Sequence, residues 1–353
     1  KSMLLKNKFT RVIHYENVDS NLGFNKELNC LNNKLSYGEG NSLELEISKL
    51  GLSSYTFIYN SNNNIDNQFW SSFKKNDILF IDSKEFILKH YGEILKLKSH
   101  NIIVIIWDGT FYDYSKFKDS FNLVLTCSES FKKKYQALDI NCEILYFSFS
   151  TDAYKELIVN WNQRKSRPAF LGSINIRNSS HFDRIDTLFK LRNEIDLYLN
   201  FGNYFILRIF WLFIKKPTIM FKYLLLFLKS NKPKFGIDYF EEIGKRKIII
   251  NNHLDQTEHA ANIRILEITG MHALMITDTK KGIFKILPKN SMILYNSPNE
   301  ILDYLNKLED EEMYQIAKNG FKYVKDNYSP TNRAKKLTDI LMNYGLINDL
   351  NLA

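Results

Sequence analysis

After Ile250 the chain carries Asn251, Asn252 and His253, then His259, Asn262, Arg264 and Glu267. Side-chain amides and imidazoles donate hydrogen bonds, and a guanidinium presents a planar fork that matches phosphate oxygens. Glu267 stands three residues after Arg264, on nearly the same helical face. So many phosphate-compatible groups in one short stretch read as a nucleotide-diphosphate site. Gly172, Ser173 and Arg177 form a second set: a loop that leaves a strand, carries an arginine and enters a helix suits phosphate contact. It reads equally as a solvated basic turn. Asp108, at the end of the apolar run 102–107, is placed to act as a general base on an acceptor hydroxyl. With Gly109 next, a turn or cap role stands beside that one. His14, closing the first strand, is the second choice for a base.

These residues need a scaffold, and the hydrophobic pattern supplies one. Residues 248–250 form a buried β-branched run, and a polar loop follows. Ala260, Ala261, Ile263, Leu266 and Ile268 make the apolar face of a helix that Gly270 stops, and 273–276 is a second buried strand. Strand, loop, helix, strand is the unit of a parallel sheet, which binds ligands at the carboxyl ends of its strands. Upstream, strands are expected at 11–15, 55–59, 77–81, 102–107, 123–126 and 143–147. Helices are expected at 24–35, 43–50, 84–97 and 131–137. Residues 148–168 hold no apolar strand and read as a crossing between domains. A new strand at 168–171, a helix at 181–193 and a strand at 195–199 open a second α/β domain, and the chain ends in a helical region, 311–343, broken near Ser329-Pro330. The expected fold class is α/β, with two Rossmann-like parallel-sheet domains facing across a cleft. The domains are expected at 1–160 and 161–325, with a helix over 326–353 packing back on the first.

Composition narrows the function. The 353 residues are 44% hydrophobic and 25% charged, values of an ordinary globular protein, and the net charge of +9 favours an acidic partner. The cations cluster with apolar residues and form no strand-tracking groove, which argues against nucleic acid. Cys30, Cys127 and Cys142 are isolated and read as reduced buried thiols. His253, His259 and His272 fit no zinc spacing and no Asp-x-Asp pattern is present, so no metal is expected. No apolar run follows the basic residues at the start, so no secretory signal is expected.

From Gly236 to Phe240, Lys247 to His253, Asn262 to Ile268, Ala273 to Asp278, Ala317 to Gly320 and Tyr328 to Arg333, the chain resembles the GT-B glycosyltransferases. The resemblance is to the CgeB-like spore-maturation proteins and the glycosyl transferases group 1 family. It implies a metal-independent, cofactor-free enzyme that moves a sugar from a UDP- or GDP-sugar to a cell-surface glycan or a polyprenyl-linked acceptor in the cytoplasm. It also implies that Glu267 binds the ribose hydroxyls. The implied donor-binding set is Gly172, Ser173, Arg177, Asn252, His253, His259, Ala261, Asn262, Arg264 and Glu267. Two departures stand out. Where retaining members carry the first of two glutamates, this chain has His259, with Glu258 one place off. The pattern usually has glycine where this chain has His272, which puts backbone approach to the donor in question. Epimerisation or hydrolysis of a nucleotide sugar, and a donor-binding scaffold without turnover, are the alternatives.

Residues 203–234 differ from the rest. Aromatic and aliphatic residues are threaded with Lys and Arg, and Lys215-Lys216-Pro217 divides them into halves that each fall short of the roughly 18 residues a membrane span requires. Two short helices lying on an anionic membrane surface is one reading, which would place the protein at the inner face of the cell membrane. Packing as core and a dimer interface are the others.

Overall fold

The structure, a computed structural model, describes residues 7–14, 42–59, 65–174, 181–202, 205–253, 258–260 and 262–347. Its contacts divide the chain into two units, Lys1–Ser148 with Ser329–Ala353, and Phe149–Tyr328. The expected helix at 24–35 lies outside the described residues.

The first unit holds a six-stranded parallel sheet. Its strands are β1 (Lys8–His14), β2 (Ser53–Tyr59), β3 (Ile78–Asp82), β4 (Ile103–Asp108), β5 (Leu123–Thr126) and β6 (Cys142–Ile144), in the order β2-β1-β3-β4-β5-β6. The middle strands read ILFID, IVIIWD and LVLT and are buried almost throughout, as a sheet covered on both faces requires. The strand order reverses at β1 and β3, and ligands of open parallel sheets bind at such a point. His14 closes β1 there, one residue beyond the Ile13–Asp82 pairing.

The helix expected at 84–97 is two helices, Lys84–Lys89 and Tyr91–Ser99. Between them His90 leaves helical geometry (φ −118°, ψ 26°). Its ring sits among Tyr59, Trp70 and Phe86, with centroids 5.1–5.6 Å away. The strand expected to reach 147 ends at Ile144, since the next carbonyl, that of Leu145, is taken by the indole of Trp107 at 3.2 Å. In the closing helix Pro330 occupies the first turn and Ser329 caps it, which explains the break at this pair. Thr331 donates to Glu46 at 2.9 Å, and the Arg333 guanidinium lies 5.4 Å from the centroid of the Trp107 ring.

The second unit holds a five-stranded parallel sheet of β7 (Ala169–Ser173), β8 (Asp196–Asn200), β9 (Ile248–Asn251), β10 (Leu274–Asp278) and β11 (Ile293–Tyr295), ordered β11-β10-β9-β7-β8. The reversal lies between β7 and β9. Residues 149–168, read as a crossing between domains, are stitched into this unit by polar groups. Val159 N–H bonds the Gly244 carbonyl, and Lys165 N–H bonds that of Lys245. Arg164, 5% exposed, donates to the carbonyls of Val159 (2.7 Å) and His272 (2.6 Å). A hydrophobic pattern is blind to such bonds, which is why the segment looked like a linker.

Glycines set the closest approaches in this unit. A Cβ on Gly270 would meet the Phe149 ring at 2.2 Å, and one on Gly320 would meet Thr269 Cγ2 at 2.5 Å. The Arg264–Gly270 helix is thus held tight on two sides. Gly270→Ala should destabilise the protein by about 1–3 kcal/mol through overpacking. Urea unfolding measures this, and an unchanged midpoint would mean that Phe149 moves aside freely.

Candidate functional site

At the reversal point of the second sheet the carboxyl ends of β7 and β9 are joined through Arg184. This side chain, 4% exposed on the Phe182–Leu191 helix, donates to the Ser173 carbonyl (2.9 Å), the Asn252 carbonyl (2.6 Å) and Asn252 Oδ1 (3.3 Å). Asn252 in turn donates to the Tyr295 hydroxyl at 3.0 Å. His253 is held by Asp278, which accepts from its amide at 2.9 Å and meets its Nδ1 at 2.7 Å. Burial alone would raise the Asp278 carboxyl, but the ring and amide of His253, with Lys280, hold it below the usual range. The other imidazole nitrogen, Nε2, is buried without a hydrogen-bond partner among the described residues.

Asn262 ties the loop to the sheet, donating to Asn251 Oδ1 at 3.2 Å, and accepts from Arg264 N–H at 2.8 Å to open the helix. The Arg264 side chain lies against the backbone of Gly172: a Cβ there would meet Nη1 at 2.6 Å. Any other residue at 172 would push the guanidinium away. His181, buried beside these groups, is pushed down to about 3 by burial and by the charges of Arg184 and Arg264. Two guanidinium charges therefore lie close to a neutral imidazole, which makes this end of the sheet electropositive.

Glu267 is 1% exposed. Its Oε2 accepts from the Tyr239 hydroxyl at 3.1 Å, while Oε1 is buried with no partner among the described residues. Burial raises its pKa to about 7, against the opposing pull of Arg264 and Tyr239. A buried carboxylate oxygen left unpaired is costly. A ligand hydroxyl would satisfy it.

The structure thus gathers Gly172, Asn252, His253, Asn262, Arg264 and Glu267 at one end of one sheet. Ser173 joins through its carbonyl only, and its side chain is exposed. Arg177 and Ala261 lie outside the described residues. His259 is set apart by a bridge to Lys281, and neighbouring Glu258 pairs with Lys281 as well. The helix starts at Arg264, later than the alanines suggested, because Ala260 N–H is spent on the Lys281 carbonyl. At seven residues it has a modest dipole.

Asp108 closes β4 and is engaged with the turn that follows. Its Oδ1 accepts from Thr110 N–H (2.8 Å) and Oγ1 (3.2 Å), and its Oδ2 from Tyr112 N–H (3.1 Å) and the Tyr135 hydroxyl (2.5 Å). With both oxygens accepting hydrogen bonds it organises the turn after β4. His14 ends its strand as expected, and its side chain lies outside the described residues. His272 is corrected: its φ of +58° and the 3.3 Å bond from Ala273 N–H to the Ile268 carbonyl make it the left-handed residue that closes the Arg264–Gly270 helix. Glycine at this position answers a backbone need at the far end of the helix from Arg264. Among the described residues no three His, Cys, Asp or Glu side chains could share a metal ion.

Arg184, His181, Tyr239, Asp278 and Tyr295 belong to the site and were not chosen from the sequence. Tyr239 and Asp278 both fall in stretches that carry the resemblance, Gly236 to Phe240 and Ala273 to Asp278.

Two parallel sheets with these helices define the GT-B fold of glycosyltransferases. Within it, residues 228–339 match the family model described as "Glycosyl transferase-like". A glycosyltransferase from Rickettsia africae superimposes with a TM-score of 0.60 at 13% identity, covering 98% of this chain and 100% of that one. HepE from Anabaena, solved with UDP-glucose, gives 0.59 at 10% identity over 95% and 99%. A putative UDP-N-acetylglucosamine 2-epimerase from Listeria monocytogenes gives 0.50 at 11% over 97% and 98%. No curated protein matches by sequence.

The raised pKa of Glu267 has a signed consequence. Between its ordinary value of 4.5 and about 7 the native state keeps a proton that the unfolded chain has released. Stability therefore falls as pH rises through that window, by up to about 3 kcal/mol from this group. Glu267→Gln lacks the loss, so its melting temperature should gain on the parent's from pH 4.5 to 7 and run level with it above. A constant difference across that range would show that the carboxyl titrates normally.

Proposed function

We propose that the protein is a glycosyltransferase that takes a sugar from a UDP- or GDP-sugar and passes it to a glycan or lipid-linked acceptor. The observation that carries this reading is the buried Oε1 of Glu267, without a partner among the described residues and under the charge of Arg264. The carboxylate accepts the ribose hydroxyls, and the guanidinium of Arg264 meets the diphosphate. In the reaction the acceptor oxygen bonds to the anomeric carbon, the bond from that carbon to the diphosphate breaks, and the acceptor proton passes to a base. Arginines and amides take up the charge growing on the leaving diphosphate, a role that needs no metal. We assign the base to His14, at the reversal point of the first sheet, in place of Asp108. The match of residues 228–339 to a glycosyltransferase-like model supports the reading, as does a fold shared with a protein solved with UDP-glucose.

A second reading keeps the donor site and changes the reaction. His253, oriented by Asp278 and with its Nε2 unpartnered among the described residues, could move a proton on a bound nucleotide sugar, which would suit epimerisation. Product analysis separates the two, since an epimer formed without acceptor would favour proton transfer.

UDP or GDP at a hundredfold excess over Kd should stabilise the protein by about 2.7 kcal/mol. Glu267→Ala should abolish the rise in melting temperature, and an undiminished rise would move the nucleotide elsewhere. For the base, His14→Ala should cut turnover by about 10²–10⁴-fold with nucleotide binding intact. Asp108→Ala should chiefly lower the melting temperature. The opposite pattern would restore Asp108 as the base.

A further inference from the structure

The helices Phe205–Lys215 and Pro217–Lys229 each have two faces, and only one is used by the protein. Leu212, Tyr223 and Leu226 point inward and join the core of the second unit with Ile185, Leu188 and Phe201. The outward face is apolar as well: Ile206 is 79% exposed, Leu207 65%, Phe210 65%, Phe213 63%, Ile214 60% and Leu228 69%. A helix apolar all round belongs in a core or in contact with lipid. This one is half in a core.

The charges sort in the same way. Arg208, Lys222 and Lys229 are bound within the unit, to the Phe201 carbonyl, Asp186 and Asn193. Lys215, Lys216, Lys232 and Lys234 make no ion pair among the described residues, and residues 203–234 contain no acidic residue. We propose that this outward face, with these four lysines, docks on an anionic lipid bilayer. No helix among the described residues is long and apolar enough to cross a membrane. An eleven-residue helix covers about 16 Å against a hydrocarbon core of about 30 Å, so the pair lies in the headgroup region. A second copy of the chain fits less well. It would press lysines against lysines with no acid on the face to pair them, and lysine is depleted at protein interfaces.

The test uses the full chain without nucleotide sugar, which keeps it separate from the glycosyl-transfer reading. In co-sedimentation at low salt, vesicles of phosphatidylcholine with phosphatidylglycerol should bind at least tenfold more tightly than phosphatidylcholine alone. Each lysine among the four changed to Ser should weaken binding by about fivefold. Phe210→Ser with Phe213→Ser, both on the exposed face and checked for folding by circular dichroism, should abolish binding. Trp211, 46% exposed, should be quenched by brominated acyl chains, and Trp211→Phe should remove that quenching. Equal affinity for both vesicle types, or absence of quenching in the parent, would overturn the proposal. So would a dimer in sedimentation velocity that the Phe variants split while vesicles fail to bind.

Discussion

A carboxylate 1% exposed, bonded through one oxygen and, among the described residues, orphaned at the other, is the tension around which the second unit is built. Burying such a group is unfavourable unless charge and hydrogen bonds answer it. Arg264 supplies the charge from one turn earlier, and it can lie where it does only because residue 172 has no side chain. Gly270 lets the helix that carries both residues sit close to Phe149, and Gly320 lets the Asp310–Asn327 helix close on its Thr269. Arg184 then fixes the ends of β7 and β9 against each other. Remove the glycines and the acid and arginine lose their places. Remove Arg184 and the loops that flank them lose their anchor.

Most of the fold was legible because central parallel strands announce themselves. Runs such as IIVIIW and KIII have few other ways to be buried, and the apolar periods between them had to be helices. The failures share one cause. Arg164 holds its segment by donating to carbonyls, His90 interrupts a helix by settling among aromatic rings, and Ala260 is held out of a helix by a bond to Lys281. None of these depends on hydrophobic period. The site divides along the same line. Asn252, His253, Arg264 and Glu267 fall in one stretch and could be read together, whereas Arg184, Tyr239 and Tyr295 arrive from distant segments that only the folded chain brings near.

Asp108 and His272 show how one residue type can carry two meanings. An aspartate at a strand end fits a base or a turn equally well, and the four hydrogen bonds on its oxygens account for the turn. A glycine expected at position 272 suggested room for a ligand, yet the positive φ there answers to the end of a helix. In both cases the backbone supplies the sufficient reason and no chemistry has to be invoked.

Strand order adds what residue type leaves open. In each sheet the strand order turns back at one place, β1 beside β3 and β7 beside β9, and ligands of open parallel sheets bind at such places. Four of the polar groups singled out from the sequence, His14, Gly172, Asn252 and His253, lie at or next to these two places. Asp108, one strand further along the first sheet, does not. Placement by topology and the count of hydrogen bonds on Asp108 are independent of each other, and they point the same way. The proposal of the residue that closes β1 as the base rests on these two arguments together.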